Sequence, residues 1–294
     1  MLTALFYTFL WGSAFPLIKI CFSELKVTDD LSKCLIAGIR FTLSGGALSL
    51  LVMKEDKRAL PSKGEWRPVL LYGVLGTSVQ YAFTFIGMSR VKGATGAIFD
   101  QLCVFFIILL GGLFLKNERL TRWKVLGCVL GFAGVMLVST EPMGFSFSLL
   151  GEGMMILAAL TQTAAYFIAA KAADSISTVR LVGNGQLIGG LSLTLFSLSL
   201  GGTISHVSVG GIFALLGLAV ISAAAYVLSL LPLKYFSASE VSVYNLLIPV
   251  FGVIMSGLVL GENVLRLNYL CALALIALGI FTVNYGGRRR GTSL

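Results

Sequence analysis

The feature that most constrains this chain is a series of long apolar segments joined by short polar connectors. A transmembrane helix needs about 20 consecutive apolar residues, and ten segments reach or approach that length. Only 12% of the residues are charged, whereas soluble domains carry about 25%. The sequence therefore predicts an all-α integral membrane protein whose ten spans cover residues 2–22, 31–53, 67–88, 93–115, 123–139, 150–170, 179–200, 209–231, 239–260 and 267–285.

Positive charge is distributed unevenly between the two sides of the predicted bundle. Of the 22 Lys and Arg residues, 15 lie on the side of the N-terminus, five on the opposite side, and two, Lys19 and Arg40, within spans. The positive-inside rule places the richer side in the cytoplasm. We therefore expect a multi-pass protein of the inner (cytoplasmic) membrane with both termini cytoplasmic. Its net charge of +9 then reflects topology and the lipid bilayer rather than a nucleic-acid partner.

One stretch of the sequence plan occurs twice, 144 residues apart. Residues 89–118 and 233–262 each begin with small residues, contain a polar pair, continue as an apolar run and close with a glutamate. The polar pairs are Asp100-Gln101 and Tyr244-Asn245, and the closing residues are Glu118 and Glu262. We interpret residues 1–140 as a first repeat and residues 141–294 as a second repeat with a basic cytoplasmic tail.

Five spans in each repeat would insert the two copies in opposite orientations. Inverted repeats are typical of transporters that expose one central site alternately to either side of the membrane. Polar residues occur mainly in spans 1–4 and 6–9, whereas spans 5 and 10 are almost wholly apolar. The sequence thus predicts a central polar cavity enclosed by eight helices.

The candidate substrate-binding residues are the polar, charged and aromatic side chains of those eight spans. They are Trp11, Lys19, Arg40, Gln80, Tyr81, Asp100, Gln101, Gln162, Tyr166, Asn184, Tyr226, Tyr244 and Asn245. The amides equally suit hydrogen bonds between helices in lipid, and the aromatic residues suit ordinary packing.

The three charged candidates each allow two interpretations. Lys19 lies about one turn from the end of span 1, so it either binds a carboxylate or extends to the membrane interface. Arg40 and Asp100 are predicted at similar depth, so they either form an ion pair or act on substrate and a coupling proton. The two cations favour a zwitterionic or anionic substrate.

Several functional classes lack support in the sequence. The five cysteines have no CxxC or His spacing, which indicates neither a metal site nor a disulfide framework, although Cys21 and Cys34 flank one loop. The single histidine, His206, has no catalytic partner nearby in the sequence. We therefore predict no enzymatic activity and no cofactor.

Four features occur along the chain: WGSAFPLIK at residues 11–19, IRF at 39–41, the apolar helix closed by Glu118 or Glu262, and the glycine-rich helix after each. In these features the chain resembles the EamA family of the drug/metabolite transporter superfamily. It implies a ten-helix secondary transporter of small polar metabolites, often amino acids and often outward. A membrane-embedded lipid-handling protein and a non-transporting sensor are the alternatives.

Overall fold

The computed structural model describes residues 2–56, 60–115, 120–138, 140–141, 144–145, 147–235, 245 and 247–288. Helices dominate this part of the chain. They are α1 (Leu2–Glu24), α2 (Asp30–Asp56), α3 (Trp66–Gly73), α4 (Gln80–Met88), α5 (Gly93–Phe99), α6 (Leu102–Phe114), α7 (Arg122–Val138), α8 (Met154–Ala172), α9 (Thr178–Ser199), α10 (Val209–Leu230), α11 (Leu247–Leu260) and α12 (Leu267–Arg288).

Several of these helices continue into tighter or wider turns. A π-helical segment, Val74–Val79, joins α3 to α4, a second one, Leu149–Gly153, precedes α8, and a 3₁₀ turn, Leu231–Lys234, follows α10. Hydrogen-bonded helix is the structure that such apolar segments must adopt in lipid, because no water is present there to satisfy the backbone.

Seven helical segments are long and apolar enough to cross a membrane. They are Thr3–Glu24, Asp30–Met53, Trp66–Met88, Gly93–Phe114, Leu149–Ala172, Thr178–Ser199 and Val209–Lys234. Large apolar side chains project from the helices, including Leu113, Phe213 and Leu258, which are 80%, 71% and 77% exposed. Lipid is the solvent that suits such a surface. The described part of the chain thus contains seven candidate membrane-spanning helices, and the count of ten stays a prediction.

The segment between α7 and α8 contains a short pair of β-strands. Thr140–Glu141 (β1) and Gly144–Phe145 (β2) form a two-residue antiparallel pair in which Thr140 faces Phe145. The side chain of Ser148 then accepts a hydrogen bond from the backbone N–H of Gly151. This short antiparallel pair lies at the boundary between the two halves.

Two helix pairs form the most extensive contacts in the described bundle. α2 packs along α9, and α7 packs along α12. At the second contact a Cβ atom on Gly127 would meet the carbonyl oxygen of Gly279, and one on Gly279 would meet that of Gly127. Glycine at both positions lets the two backbones approach closely, which is typical of helix packing in membranes.

Further contacts connect the remaining helices of the described bundle. α1 packs against α10 and α11, α8 packs against α4 and α6, α3 packs against α9, and α10 packs against α2. The buried core runs through this region and contains polar as well as apolar side chains, among them Arg40, Gln80, Gln101 and Gln186.

Candidate functional site

A cavity of about 40 Å³ lies within the bundle, enough for a few water molecules. The described lining residues come from α1, α3, α4, α6, α8, α10, α11 and the turns that precede α6 and α11. They are Trp11, Tyr72, Gln80, Asp100, Gln101, Cys103, Val104, Gln162, Ala165, Tyr166, Tyr226, Ser229, Leu230, Asn245 and Ile248. Among the described residues, α2 and α9 contribute none of this lining, which corrects the expectation that eight predicted spans enclose the cavity directly.

The fourth predicted span is broken at its polar pair. α5 ends at Phe99 and α6 begins at Leu102, so Asp100 and Gln101 form the turn between two shorter helices. The backbone N–H of Gln101 donates to the carbonyl of Ile98, three residues back, at 3.1 Å. Broken helices at membrane depth occur where the irregular backbone is enclosed by protein or lines a cavity.

The predicted ion pair between Arg40 and Asp100 is absent, although both residues lie in the described part of the chain. Asp100 borders the cavity and is partly accessible from it. Arg40 is fully buried on α2, and its Nε donates to Ser222 Oγ at 2.6 Å and to the carbonyl oxygen of Leu218 at 3.1 Å. The expectation was wrong because depth along two helices does not determine which neighbours their side chains face.

Aromatic rings surround the Arg40 guanidinium. Its Cζ atom lies 4.9 Å from the centre of the Phe41 ring and 5.4 Å from that of Tyr81, which suits cation–π attraction. The Nη1 and Nη2 atoms have no hydrogen-bond partner among the described residues. Arg40 thus lies behind the aromatic wall of the cavity, in contact with α10 rather than with the cavity itself.

That wall is built from a connected group of rings. Trp11 and Tyr226 meet edge to face with their centroids 4.6 Å apart. The hydroxyl of Tyr226 donates to that of Tyr81 at 2.8 Å, so Tyr81 supports the wall from outside the lining. Tyr166 borders the cavity from α8. The helices α1, α4, α8 and α10 therefore bring four of the predicted aromatic residues together.

The predicted amide side chains divide into two groups. Gln80, Gln101, Gln162 and Asn245 line the cavity, and Asn245 also accepts a hydrogen bond from the hydroxyl of Tyr7 at 3.2 Å. Asn184 lies away from the lining on α9, where its Nδ2 donates to the carbonyl of Arg180 at 3.1 Å. The amide pattern therefore located the cavity well but not completely.

Two further candidates do not contribute to the described lining. Lys19 is partly buried on α1, close enough to Glu262 for their charges to interact, and does not border the cavity. Tyr244, like the closing glutamate Glu118, lies outside the described residues. The positions of Tyr244 and Glu118 stay predictions, and a role for Lys19 in binding substrate has no support from the described lining.

Sequence reasoning missed several lining residues, among them Tyr72, Cys103 and Ser229. Cys103 follows Asp100 by three residues and Ser229 follows Tyr226 by three residues, a spacing that would place each pair on one face of a continuous helix. This spacing was available in the sequence, but neither Cys103 nor Ser229 was among the candidates. Within the described residues, no group of three or more His, Cys, Asp or Glu side chains could hold a metal ion.

The two halves of the chain are tied together at the end of the bundle where α1 ends, which we call the Glu24 end. The Glu262 carboxylate accepts hydrogen bonds from the backbone N–H groups of Gly93 at 2.8 Å and Ala94 at 3.0 Å. Ser208 donates to Glu24 at 2.7 Å. Free N–H groups and the helix dipole make the first turn of a helix favourable for a carboxylate, so Glu262 caps α5 from the other half.

Ties between the halves are also described toward the opposite end, where α1 begins, which we call the Leu2 end. The hydroxyl of Tyr7 donates to Asn245 at 3.2 Å, and Arg180 donates to Glu65 at 3.4 Å. The backbone N–H of Ser62 also donates to Glu65, and this hydrogen bond, more than Arg180, lowers the pKa of the carboxyl. The lining residues Tyr226, Ser229 and Leu230 come from the last turns of α10, so the cavity lies between the middle of the bundle and the Leu2 end.

Comparison with known proteins agrees with this architecture. A family described as the EamA-like transporter family matches residues 1–140 and 149–285. An uncharacterized transporter of Archaeoglobus fulgidus is 27% identical over 289 residues, covering 95% of this chain and 96% of the relative. The uncharacterized transporter YvbV of Bacillus subtilis is 29% identical, covering 96% of this chain and 91% of its own.

A solved crystal structure resembles the fold across nearly all of the chain. Its TM-score is 0.72 at 19% identity, with 97% of this chain and 98% of that chain covered, which supports the fold alone. The family match extends over both halves of the sequence, and the resemblance inferred from its motifs is confirmed. The chain belongs to the EamA-like transporter family and is a multi-pass membrane transporter.

Proposed function

We propose that this protein is a secondary active transporter that exports a small polar metabolite, an amino acid or a related compound, by alternating access. Ten spans would form two inverted repeats, residues 1–140 and 141–294, in the inner membrane with both termini in the cytoplasm. The observation that carries the proposal is a polar cavity inside a membrane bundle, bordered by a helix that breaks at Asp100 and Gln101.

The contacts between helices support the two-repeat arrangement. In this arrangement α2 is the counterpart of α9, and α7 is the counterpart of α12. These two counterpart pairs form the two most extensive helix contacts. The packing of α1 against α10 then corresponds to that of α8 against α4, and α1 with α11 corresponds to α8 with α6. A pseudo-two-fold relation between the halves accounts for this correspondence. With an odd number of spans per half, the second half would have the opposite orientation in the membrane.

The ties between the halves support a specific conformation. Glu262 and Glu24 join the halves at the Glu24 end, which the charge distribution predicts to face outside. The cavity lies toward the Leu2 end, which is predicted to face the cytoplasm. We therefore propose that this conformation is closed to the outside, the state that would collect an exported substrate.

The proposed substrate is an amino acid rather than an anionic compound. The preference for an anionic compound rested on Lys19 and Arg40, and neither borders the cavity. A proton is the proposed coupling ion, because Asp100 is a carboxylate that can exchange a proton with the cavity. Lys19 and Arg40 are then proposed to act through Glu262 and the aromatic wall.

The experiment is flux into proteoliposomes containing the purified protein. A panel of labelled amino acids and organic acids would be offered with and without an imposed pH gradient, and protein-free liposomes would serve as the control. Saturable flux that responds to the gradient is expected for at least one compound. Lipid turnover or lateral lipid release without flux would favour the lipid-handling alternative, and tight binding without flux would favour a sensor.

A further inference from the structure

The cavity is electrostatically one-sided. Asp100 is the one charged side chain among the described lining residues, and it forms no ion pair with any described residue. The buried cation Arg40 contacts Ser222 and the Tyr81 ring instead. An unpaired carboxylate inside a membrane protein is costly unless it is protonated or meets a cation.

The same cavity contains other polar atoms that lack partners. The Oε1 atoms of Gln80 and Gln101 and the hydroxyls of Tyr72 and Tyr166 have no hydrogen-bond partner among the described residues. Their side chains are buried, with exposed fractions of 2%, 1%, 2% and 8%. Buried polar groups are normally satisfied, so these four require water or a ligand in the cavity.

The walls between these polar groups are aromatic. Trp11 and Tyr226 pack edge to face at 4.6 Å, and Tyr72 lies near Tyr226 with ring centroids 6.5 Å apart. Aromatic faces attract organic cations. Carboxylates accept strong, charge-assisted hydrogen bonds from ammonium groups. Anions find no positively charged partner among the described lining residues.

We infer that the cavity binds the protonated amine of its substrate, with the Asp100 carboxylate as counter-ion and the surrounding amides, hydroxyls and rings as its hydrogen-bond partners and walls. This inference deepens the proposed function and rests on it. It selects organic cations and zwitterions whose amine is free, and it excludes anions in which that amine is blocked.

Compounds that share a side chain and differ in net charge provide the test. Leucinamide is a cation, leucine a zwitterion and N-acetylleucine an anion, and the same triplet exists for alanine and phenylalanine. Each would be added to the purified protein in detergent at constant ionic strength, and thermal stabilisation would be measured. Proteoliposome counterflow with the same nine compounds would report transport separately from binding.

We expect the free-amine members of at least one triplet to stabilise the protein and the acetylated member to have no effect. Asp100→Asn keeps the shape of the side chain and should weaken binding of the amine on the order of 10- to 100-fold, the value of a hydrogen bond to a charged group. Asp174→Asn is the control, because Asp174 is exposed in the connector between α8 and α9.

The outcomes separate the two proposals. Stabilisation by amines without counterflow supports the amine site and refutes the transporter. Equal stabilisation by acetylated compounds, retention of amine binding in folded Asp100→Asn protein, or stabilisation by sodium chloride alone overturns the inference. If an organic acid that lacks an amine is transported and none of the nine compounds binds or is transported, the inference is overturned and the transporter proposal is retained.

Discussion

Removing the Glu262 carboxylate should open the Glu24 end of the bundle. Glu262 accepts two backbone hydrogen bonds, from Gly93 at 2.8 Å and Ala94 at 3.0 Å, and so joins the segment after α11 to the first turn of α5. These groups belong to different halves of the chain. Glu262→Ala leaves the two N–H groups without this partner and removes the favourable interaction with the helix dipole.

The magnitude follows from helix capping. Replacing a capping side chain by alanine costs about 0.5–2 kcal/mol, and Glu262 is partly exposed, which argues against a larger value. If the cost falls on the state closed at the Glu24 end, the ratio of open to closed protein rises about two- to thirtyfold, since about 1.4 kcal/mol is a factor of ten. Most of the protein need not open for such a change to be measurable.

Cys103 can report the opening because it borders the cavity and is 4% exposed. In a variant that retains Cys103 as its single cysteine, a membrane-impermeant maleimide would be applied from the side of the Glu24 end, and the labelling rate measured. Glu262→Ala should raise the labelling rate about two- to thirtyfold. A parallel measurement with leucinamide present would show whether the amine occupies the site.

Glu152→Ala is the matched control for this experiment. Glu152 also accepts a backbone hydrogen bond, from Ser148 at 3.0 Å, but both residues lie in the second half. Its removal should change the Cys103 labelling rate little. Equal labelling rates in the two variants, or no increase in Glu262→Ala, would refute the assignment of Glu262 as a tie that keeps this end closed.

Three further predictions concern packing and charge. Arg40→Ala should lower the free energy of unfolding by about 2–4 kcal/mol through lost hydrogen bonds and an unfilled space, with amine affinity retained in the folded fraction; thermal unfolding with and without leucinamide measures both, and lost binding at unchanged stability would contradict it. Gly279→Ala should lower the melting temperature because its Cβ meets a backbone carbonyl of α7, whereas Gly46→Ala, which meets nothing within 4 Å, should not; similar melting curves would count against close α7–α12 packing. Hydrogen bonding from Ser62 lowers the pKa of Glu65 below its usual 4.5, so its stabilising contribution is present above that value and lost as the pH falls through the lowered pKa; Glu65→Gln should flatten this part of the stability curve, and an unchanged acid slope would exclude the carboxyl as its source.

The helices were largely predictable from the sequence, because a bilayer requires long apolar segments and leaves few alternatives to helix. The breaks within them were not. The polar pair Asp100-Gln101 interrupts the apolar stretch, but the same pattern suits a continuous helix with polar side chains facing a cavity, so it does not indicate that α5 ends at Phe99. The π-helical segment Val74–Val79 was equally invisible, yet it rotates the residues before it relative to Gln80 and thereby affects which of them, such as Tyr72, reach the cavity.

The candidate site was predictable as a set of residues but not as a set of contacts. Polar side chains in apolar helices located eight lining residues, including Asp100, Gln162 and Asn245. Depth was read by counting residues along each helix, and this wrongly paired Arg40 with Asp100. The face that α2 presents is decided by its packing against α9 and α10, and such tertiary contacts are not encoded in the spacing of a single helix.

The break at Asp100 and Gln101 places a joint between two rods. One rod, α5, is held at its far end by Glu262, and the other, α6, rests against α7 and α8. A substrate bound at this joint would make it more rigid, and loss of the Glu262 hydrogen bonds would make it more flexible. Substrate binding and opening of the Glu24 end would therefore act on the same hinge. Cargo and gate would then communicate through less than two turns of helix, without any signal having to traverse the rest of the bundle.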